Sequence, residues 1–190
     1  MAETMEPRMT RRVWLALCAA VVAALGALRL AGAEEEAENP PPGSTGETLD
    51  WRPLTLPRSK WREILPAPAY RVLFEDGTER AFSSPLDKEK RKGTYLCAAC
   101  GLPLFTSESK YDSGTGWPSF FRAIPGRLGT STDYKLILPR TEYHCARCGG
   151  HQGHVFNDGP KPTGKRYCNN GVALTFVPEG NPLPPLFGGA

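Results

Sequence analysis

The chain has 190 residues, 40% hydrophobic and 23% charged, which is long enough for one domain with a real core but not comfortably for two. Its net charge is +3, and the first 33 residues hold four arginines (Arg8, Arg11, Arg12, Arg29) against two glutamates (Glu3, Glu6), so the remainder carries only +1. That is no footprint for a polyanion-binding surface, and a nucleic-acid partner is not expected.

In chain order, Met1 to Arg12 is a charged lead, and Val13 to Leu28 is an uncharged apolar run. Ala31-Gly32-Ala33 then offers a small-residue cleavage site, so residues 1–33 read as a signal peptide. The alternative is an uncleaved anchor through residues 13–28, although sixteen residues fall short of the about twenty that span a bilayer as a helix. Thr10-Arg11-Arg12 also resembles a twin-arginine export signal. Cys18 follows Leu17 rather than a small residue, which makes it a poor lipid attachment site, and it leaves with a cleaved signal. The expected destination is the bacterial periplasm, with the endoplasmic reticulum or an organelle as the alternative. Residues 34–48, "EEEAENPPPGSTGET", carry three consecutive prolines and no large apolar side chain, and are expected to form a disordered linker.

From Leu49 the composition becomes globular, and residues 49–190 are assigned to one domain. "SKWREIL" and "PAPAYRVLFEDG" predict short helices, with Ser59 as a candidate N-cap, Pro66 and Pro68 in a first turn, and Tyr70, Leu73 and Phe74 on one face. After Gly93 the runs "GTYLC", "YKLILP", "TEYHC", "KRYC" and "GVALTFV" are short, rich in β-formers and separated by Gly, Pro, Asp and Asn. The predicted fold is mainly β: antiparallel sheets forming a small barrel-like domain behind short N-terminal helices.

Cys97-Ala-Ala-Cys100-Gly and Cys145-Ala-Arg-Cys148-Gly are two CxxC pairs, each followed by glycine. A CxxC turn aims both sulfurs at one spot, and two such turns complete the tetrahedral sulfur site that Zn²⁺ accepts with no open position. The 44 residues between Cys100 and Cys145 exceed the gap of a free-standing zinc ribbon, so a metal here would clip together distant parts of a larger domain. Paired disulfides are the competing reading, because export favours them, but a CxxC bridge closes a tiny loop and constrains little. A closed structural site of this kind has no vacancy for water, and the chemistry must lie elsewhere.

Cys168, in "GKRYCNNGVALTF", is the remaining cysteine once Cys18 is removed, and is either an inert buried thiol or a working one. Lys165 and Arg166 precede it, and His151 and His154 lie upstream in "GGHQGHVFNDGP". Cationic neighbours that are close in space lower a thiol pKa and raise the thiolate fraction. Asn169 and Asn170 follow the thiol, and an amide there can donate to a developing oxyanion. The bland alternatives are two hydrogen-bonded structural histidines, or a second ligand pair at H-x-x-H spacing, and a surface charge at Arg166.

Taken in order, "GTYLCAACGLPLF", "KYDSGTGWPSFF", "TEYHCARCGGHQGHVFNDGP" and "GKRYCNNGVALTF" closely resemble the peptide-methionine (R)-S-oxide reductases, the type B methionine sulfoxide reductases. The similarity runs from about Leu49 to Val177. It implies a β-rich domain with one structural zinc on Cys97, Cys100, Cys145 and Cys148, remote from the active site. It implies a nucleophile at Cys168, catalytic histidines at His154 and His151, and an asparagine at Asn170. Trp117 would pack against the methyl group of the sulfoxide, and Arg166 is a further candidate substrate-binding residue. Gly150 and Gln152 stand where family members often have alanine and leucine, and Asn169 where an aliphatic residue is usual.

The implied reaction converts methionine-R-sulfoxide, mainly in oxidised proteins, to methionine. A thiolate attacks the activated sulfoxide, methionine leaves, and the oxygen stays on Cys168 as a sulfenic acid. Many relatives carry a resolving cysteine at the position of Thr115, and a hydroxyl there cannot reduce sulfur. A one-cysteine cycle is therefore expected, closed by an external thiol: a thioredoxin-like protein, a glutaredoxin or glutathione. A monomer is expected. Two other classes remain open on sequence: a zinc-ribbon-like binding module with a structural Cys168, and a thiol redox sensor.

Overall fold

The computed structural model describes residues 49–134 and 138–189. The signal peptide or anchor, Cys18, the linker and residues 135–137 of "YKLILP" lie outside the described residues. From Leu49 onward the chain forms one compact unit.

Two short helices come first, α1 (Arg58–Ile64) and α2 (Ala67–Phe74). The cap of α1 is Pro57 rather than Ser59, which falls inside the first turn. Pro57 has the fixed φ that suits a helix start, and its carbonyl accepts from Lys60 N at 3.0 Å and Trp61 N at 3.4 Å. Pro66 caps α2 and Pro68 sits in its first turn, as their restricted φ favours. The predicted face is buried: Tyr70, Leu73 and Phe74 all enter the core, where Phe74 stacks on Trp61 at 5.1 Å between centroids.

Among the described residues nine strands follow: β1 (Gly93–Cys97), β2 (Pro103–Thr106), β3 (Lys110–Tyr111), β4 (Ser119–Phe120), β5 (Leu128–Asp133), β6 (Arg140–Cys145), β7 (His151–Phe156), β8 (Arg166–Asn169) and β9 (Leu174–Pro178). All pairings are antiparallel, in a three-stranded sheet β2-β1-β9 and a six-stranded sheet β3-β4-β8-β7-β6-β5. The domain is thus mainly β as expected, but both sheets are open among the described residues and the strands do not close into a barrel.

Two predicted strands are altered. In "GVALTFV" the first three residues form a 3-10 turn, Gly171–Ala173, and the strand begins at Leu174. The cause is Glu79, whose carboxylate accepts Gly171 N at 2.6 Å and Val172 N at 3.0 Å and so removes them from any ladder. The described part of "YKLILP" is not strand either: Tyr134 lies beyond the end of β5, and Leu138 is in an exposed bend.

The core is aromatic where the layers meet. Phe105 of β2 and Phe120 of β4 stack at 4.2 Å, and Tyr143 of β6 meets Phe105 and Tyr167 edge-on. Trp61, Tyr95, Phe105, Phe120 and Tyr143 are all buried to 2% exposure or less. Each large apolar side chain hidden in this way contributes about 1.5–3 kcal/mol relative to exposure. The β4-β8-β7-β6 array that results carries five of the ten predicted site residues, Cys168, Arg166, His151, His154 and Cys145.

Candidate active site and metal centre

Cys168 sits on β8 between two partners. Across the β7 ladder its register partner is His154, and across the β4 ladder it is Ser119. Directly opposed residues of an antiparallel pair project from the same face, so His154 and Cys168 share one side of the sheet. The close approach of β7 and β8 explains Gly153, where an added Cβ would lie 1.9 Å from the carbonyl oxygen of Cys168.

His151 and His154 are each held by a carboxylate from β5 or β6. His154 Nε2 lies 2.8 Å from Asp133 Oδ2, and His151 Nδ1 lies 2.6 Å from Glu142 Oε1. A carboxylate only accepts, so Nε2 of His154 and Nδ1 of His151 carry the protons. The two rings meet edge to face at 5.4 Å between centroids. Burial pushes the His154 pKa down, with Arg140 and His151 adding to the shift and Asp133 opposing it. The neutral ring is favoured, which leaves its Nδ1 with a free lone pair. Burial works against the charge of Glu142, but hydrogen bonds from Ser131 and His151 outweigh it and hold that carboxyl low. Asp133, Arg140, Glu142 and both histidines line a cleft of about 480 Å³. Cys168 is not among the residues lining it.

Arg166 is on β8 two residues before the thiol, but it is not free. Nε and Nη2 donate to the two carboxylate oxygens of Asp158, both at 2.8 Å, and the guanidinium lies over Phe156 at 4.3 Å. Arg166 still acts on the thiol as a nearby cation does, lowering its pKa. Burial pushes the thiol up, and this outweighs the lowering by the Arg166 charge, the Thr115 hydroxyl and an Arg166 hydrogen bond, while Asp158 adds to the rise.

The loop between β3 and β4 brings Thr115 to Cys168, with Oγ1 4.0 Å from Sγ. Behind it runs a chain of hydroxyls: Ser113 Oγ is 2.8 Å from Thr115 Oγ1 and 2.7 Å from Ser119 Oγ. The two glycines of this loop have φ of 72° at Gly114 and 87° at Gly116, a region L-residues avoid. At Gly116 a Cβ would also strike Phe82, whose N–H donates to Gly116 O at 2.7 Å. Trp117 is half-buried and donates from Nε1 to the Glu79 carbonyl at 3.2 Å. Both ends of the Asn170 amide meet backbone. Oδ1 accepts Glu79 N at 3.0 Å and Nδ2 donates to Gln152 O at 3.0 Å.

Sequence reasoning missed Asp133, Glu142, Asp158 and Glu79. Asp158 and Glu142 were in view inside quoted motifs, but nothing local marks a carboxylate as the partner of a distant histidine or arginine.

The four remaining cysteines converge. Cys97 ends β1 in one sheet and Cys145 ends β6 in the other, so the cluster joins the two sheets. The ligand sulfurs all lie within 4.8 Å of one another, with Cys97 to Cys148 at 3.6 Å and Cys100 to Cys145 at 3.5 Å. A tetrahedral site with metal–sulfur bonds of about 2.3 Å requires sulfurs about 3.8 Å apart, and the donor set fits a metal ion. The predicted glycines close both turns, Gly101 N to Cys97 O and Gly149 N to Cys145 O, each at 2.9 Å and each with positive φ. No disulfide forms: all five cysteines among the described residues are free.

Comparison with known proteins gives these features a context. Residues 65–178 match the SelR domain. The peptide methionine sulfoxide reductase MsrB of Leptospira interrogans is 51% identical over 120 residues, 63% of this chain and 92% of the relative. That of Agrobacterium fabrum is 51% identical over 131 residues, covering 66% of this chain and 97% of the relative. The chloroplastic peptide methionine sulfoxide reductase B1 of Arabidopsis thaliana is 43% identical over 137 residues, covering 72% and 68%. With a matching family model across most of the folded unit and relatives spanned almost end to end, the chain belongs to the SelR-domain family of MsrB-type peptide methionine sulfoxide reductases.

Proposed function

We infer that the protein reduces methionine-R-sulfoxide in oxidised proteins to methionine, with Cys168 as nucleophile. The observation that carries this is the pairing of Cys168 with His154 across β7 and β8, with His154 oriented by Asp133. The Cys168 sulfur attacks the sulfur of the protonated sulfoxide to form a sulfur–sulfur bond, and the sulfoxide oxygen leaves as water. Water then adds to Cys168 Sγ, the sulfur–sulfur bond breaks, and methionine leaves with the electron pair, so Cys168 is left as a sulfenic acid and one proton is released. His154 and His151 are suited to hold water or deliver the proton to the sulfoxide oxygen, their tautomers being set by Asp133 and Glu142. Trp117 would offer apolar surface to the methyl group, so that the R epimer is the one whose oxygen meets the polar donors. Asn170, tied to backbone, acts as a clip that holds Glu79 and the Gly171–Ala173 turn behind the thiol.

A one-cysteine cycle follows from the cysteine inventory. Four of the five described thiols are grouped in the cluster, and the loop offers Cys168 a threonine hydroxyl at 4.0 Å. The sulfenic acid then condenses with an external thiol, releasing water, and a second thiol frees Cys168 as its own disulfide forms. A thioredoxin-like protein, a glutaredoxin or glutathione has the required chemistry. The sulfur-only, closed ligand set favours Zn²⁺ as the cluster's ion. The charged lead and apolar run before residue 34 support export, with the periplasm as the first destination.

The test is turnover with dithiothreitol on peptides carrying either epimer of methionine sulfoxide. Reduction of the R epimer alone, lost in Cys168→Ser, supports the reading; activity surviving in that variant contradicts it.

A further inference from the structure

Gln152 and Asn169 are polar at positions where apolar side chains would pack, and the fold makes them neighbours. Gln152 lies on β7 and Asn169 on β8, and both are wholly buried at 0% exposure. Asn169 Nδ2 donates to Gln152 Oε1 at 3.4 Å and to Asn170 O at 2.8 Å. Tyr143, also wholly buried, donates from its hydroxyl to Asn169 Oδ1 at 2.8 Å. At the far end Gln152 Nε2 donates to Cys97 Sγ at 3.4 Å. Tyr143, Asn169, Gln152 and Cys97 form one buried hydrogen-bonded line, from the residue after Cys168 to the cysteine cluster.

The line has a direction. The Asn170 carbonyl can only accept, so it holds the Asn169 nitrogen, and the Tyr143 hydroxyl donates to the oxygen on the other side, which leaves the Asn169 N–H groups for Gln152 and Asn170. That in turn holds the Gln152 oxygen toward Asn169 and its NH₂ toward Cys97. A reversed amide would set an oxygen against a sulfur and orphan both. An N–H aimed at sulfur is weak against a neutral thiol and roughly doubled against a thiolate, the form a metal ligand takes. Partners that orient or hydrogen-bond a ligand strengthen metal binding.

We propose that Gln152, oriented by Asn169 and Tyr143, is a positioning residue of the metal centre. Its amide hydrogen-bonds the metal-bound Cys97 thiolate, retards loss of the ion, and ties the cluster to the strand that carries Cys168. The proposal rests on the reading of the four cysteines as a metal site.

The experiment loads the full chain with Zn²⁺ and follows release to a chromogenic chelator. Gln152→Leu and Gln152→Met both remove the N–H, and the second preserves an unbranched shape. Both are expected to release zinc about tenfold faster than the parent chain. Asn169→Leu should move in the same direction, and the double variant Gln152→Leu/Asn169→Leu should exceed Gln152→Leu by little. Thermal melts of the metal-free chains should separate the parent from Gln152→Met far less than melts of the loaded chains do. Equal release rates for parent and variants overturn the proposal, as does an equal loss of stability with and without metal, which would mark a packing effect. A parent chain that takes up no zinc overturns the metal-site reading itself, and with it this proposal.

Discussion

Asp133 and Arg140 close the β5–β6 ladder as direct partners, and the same Asp133 oxygen accepts both Arg140 Nη2 at 2.7 Å and His154 Nε2 at 2.8 Å. An ion pair at the end of a strand thereby orients the histidine that stands opposite Cys168. Asp133→Asn should release that orientation. We expect turnover to fall about 10- to 100-fold, mostly in kcat, because general acid–base assistance is worth about 10²–10⁴ and an amide restores part of the bond. Steady-state kinetics on a methionine sulfoxide peptide checks it, and His154→Gln should lose at least as much.

The Cys168 thiol should titrate above an ordinary cysteine in the resting protein. Burial raises it, and Arg166 and Thr115 are the main opposing groups. Alkylation by iodoacetamide should therefore rise with pH to a midpoint above the usual about 8.5. Arg166→Leu and Thr115→Val each remove a group that lowers this pKa, so each should shift the midpoint to still higher pH. A shift to lower pH in either variant would contradict the assignment.

Thr115 stands 4.0 Å from Cys168 on a loop with two glycines at positive φ, so a thiol there needs only a small displacement to bond. Thr115→Cys is expected to form an internal disulfide with Cys168 during turnover, seen as a loss of two hydrogens by intact mass. It should also turn over faster with a thioredoxin-type reductant than the parent chain does.

Glu79 supports the site from behind. Its carboxylate satisfies the N–H groups of Gly171 and Val172, and its own main chain meets Asn170 and Trp117. Glu79→Ala would orphan two largely buried donors at about 1–3 kcal/mol each, so a loss of roughly 2–4 kcal/mol in urea unfolding is expected. Trp117 fluorescence should become more solvent-exposed in that variant before global unfolding.

What the sequence made legible was local. The two CxxC-Gly turns are determined by short-range geometry, and "GTYLC", "TEYHC" and "KRYC" pattern as strands because each buries side chains in the core. β5, "LGTSTD", was not legible: it is the edge of its sheet, largely exposed, and its polar residues carry no alternation. β7, "HQGHVF", was hidden for another reason, since its buried positions are filled by polar groups with partners elsewhere in the chain. The candidate site divides in the same way. Cys168, the histidines and Trp117 stand out as residue types within motifs. Their partners Asp133, Glu142 and Asp158 are chosen by strand register and loop closure, which spacing along the chain does not encode. The direction of the Cys168 shift is not legible in sequence for this reason, because the commitment of Arg166 to Asp158 and the burial of the thiol are both tertiary facts.

The most direct measurement is a single turnover without reductant, followed by intact mass and peptide mapping. About one methionine per chain should be released from the R epimer with one oxygen added at Cys168, none from the S epimer, and no intramolecular disulfide should form. Release of methionine with Cys168 unmodified, or a disulfide from Cys168 to another cysteine of the same chain, would contradict it.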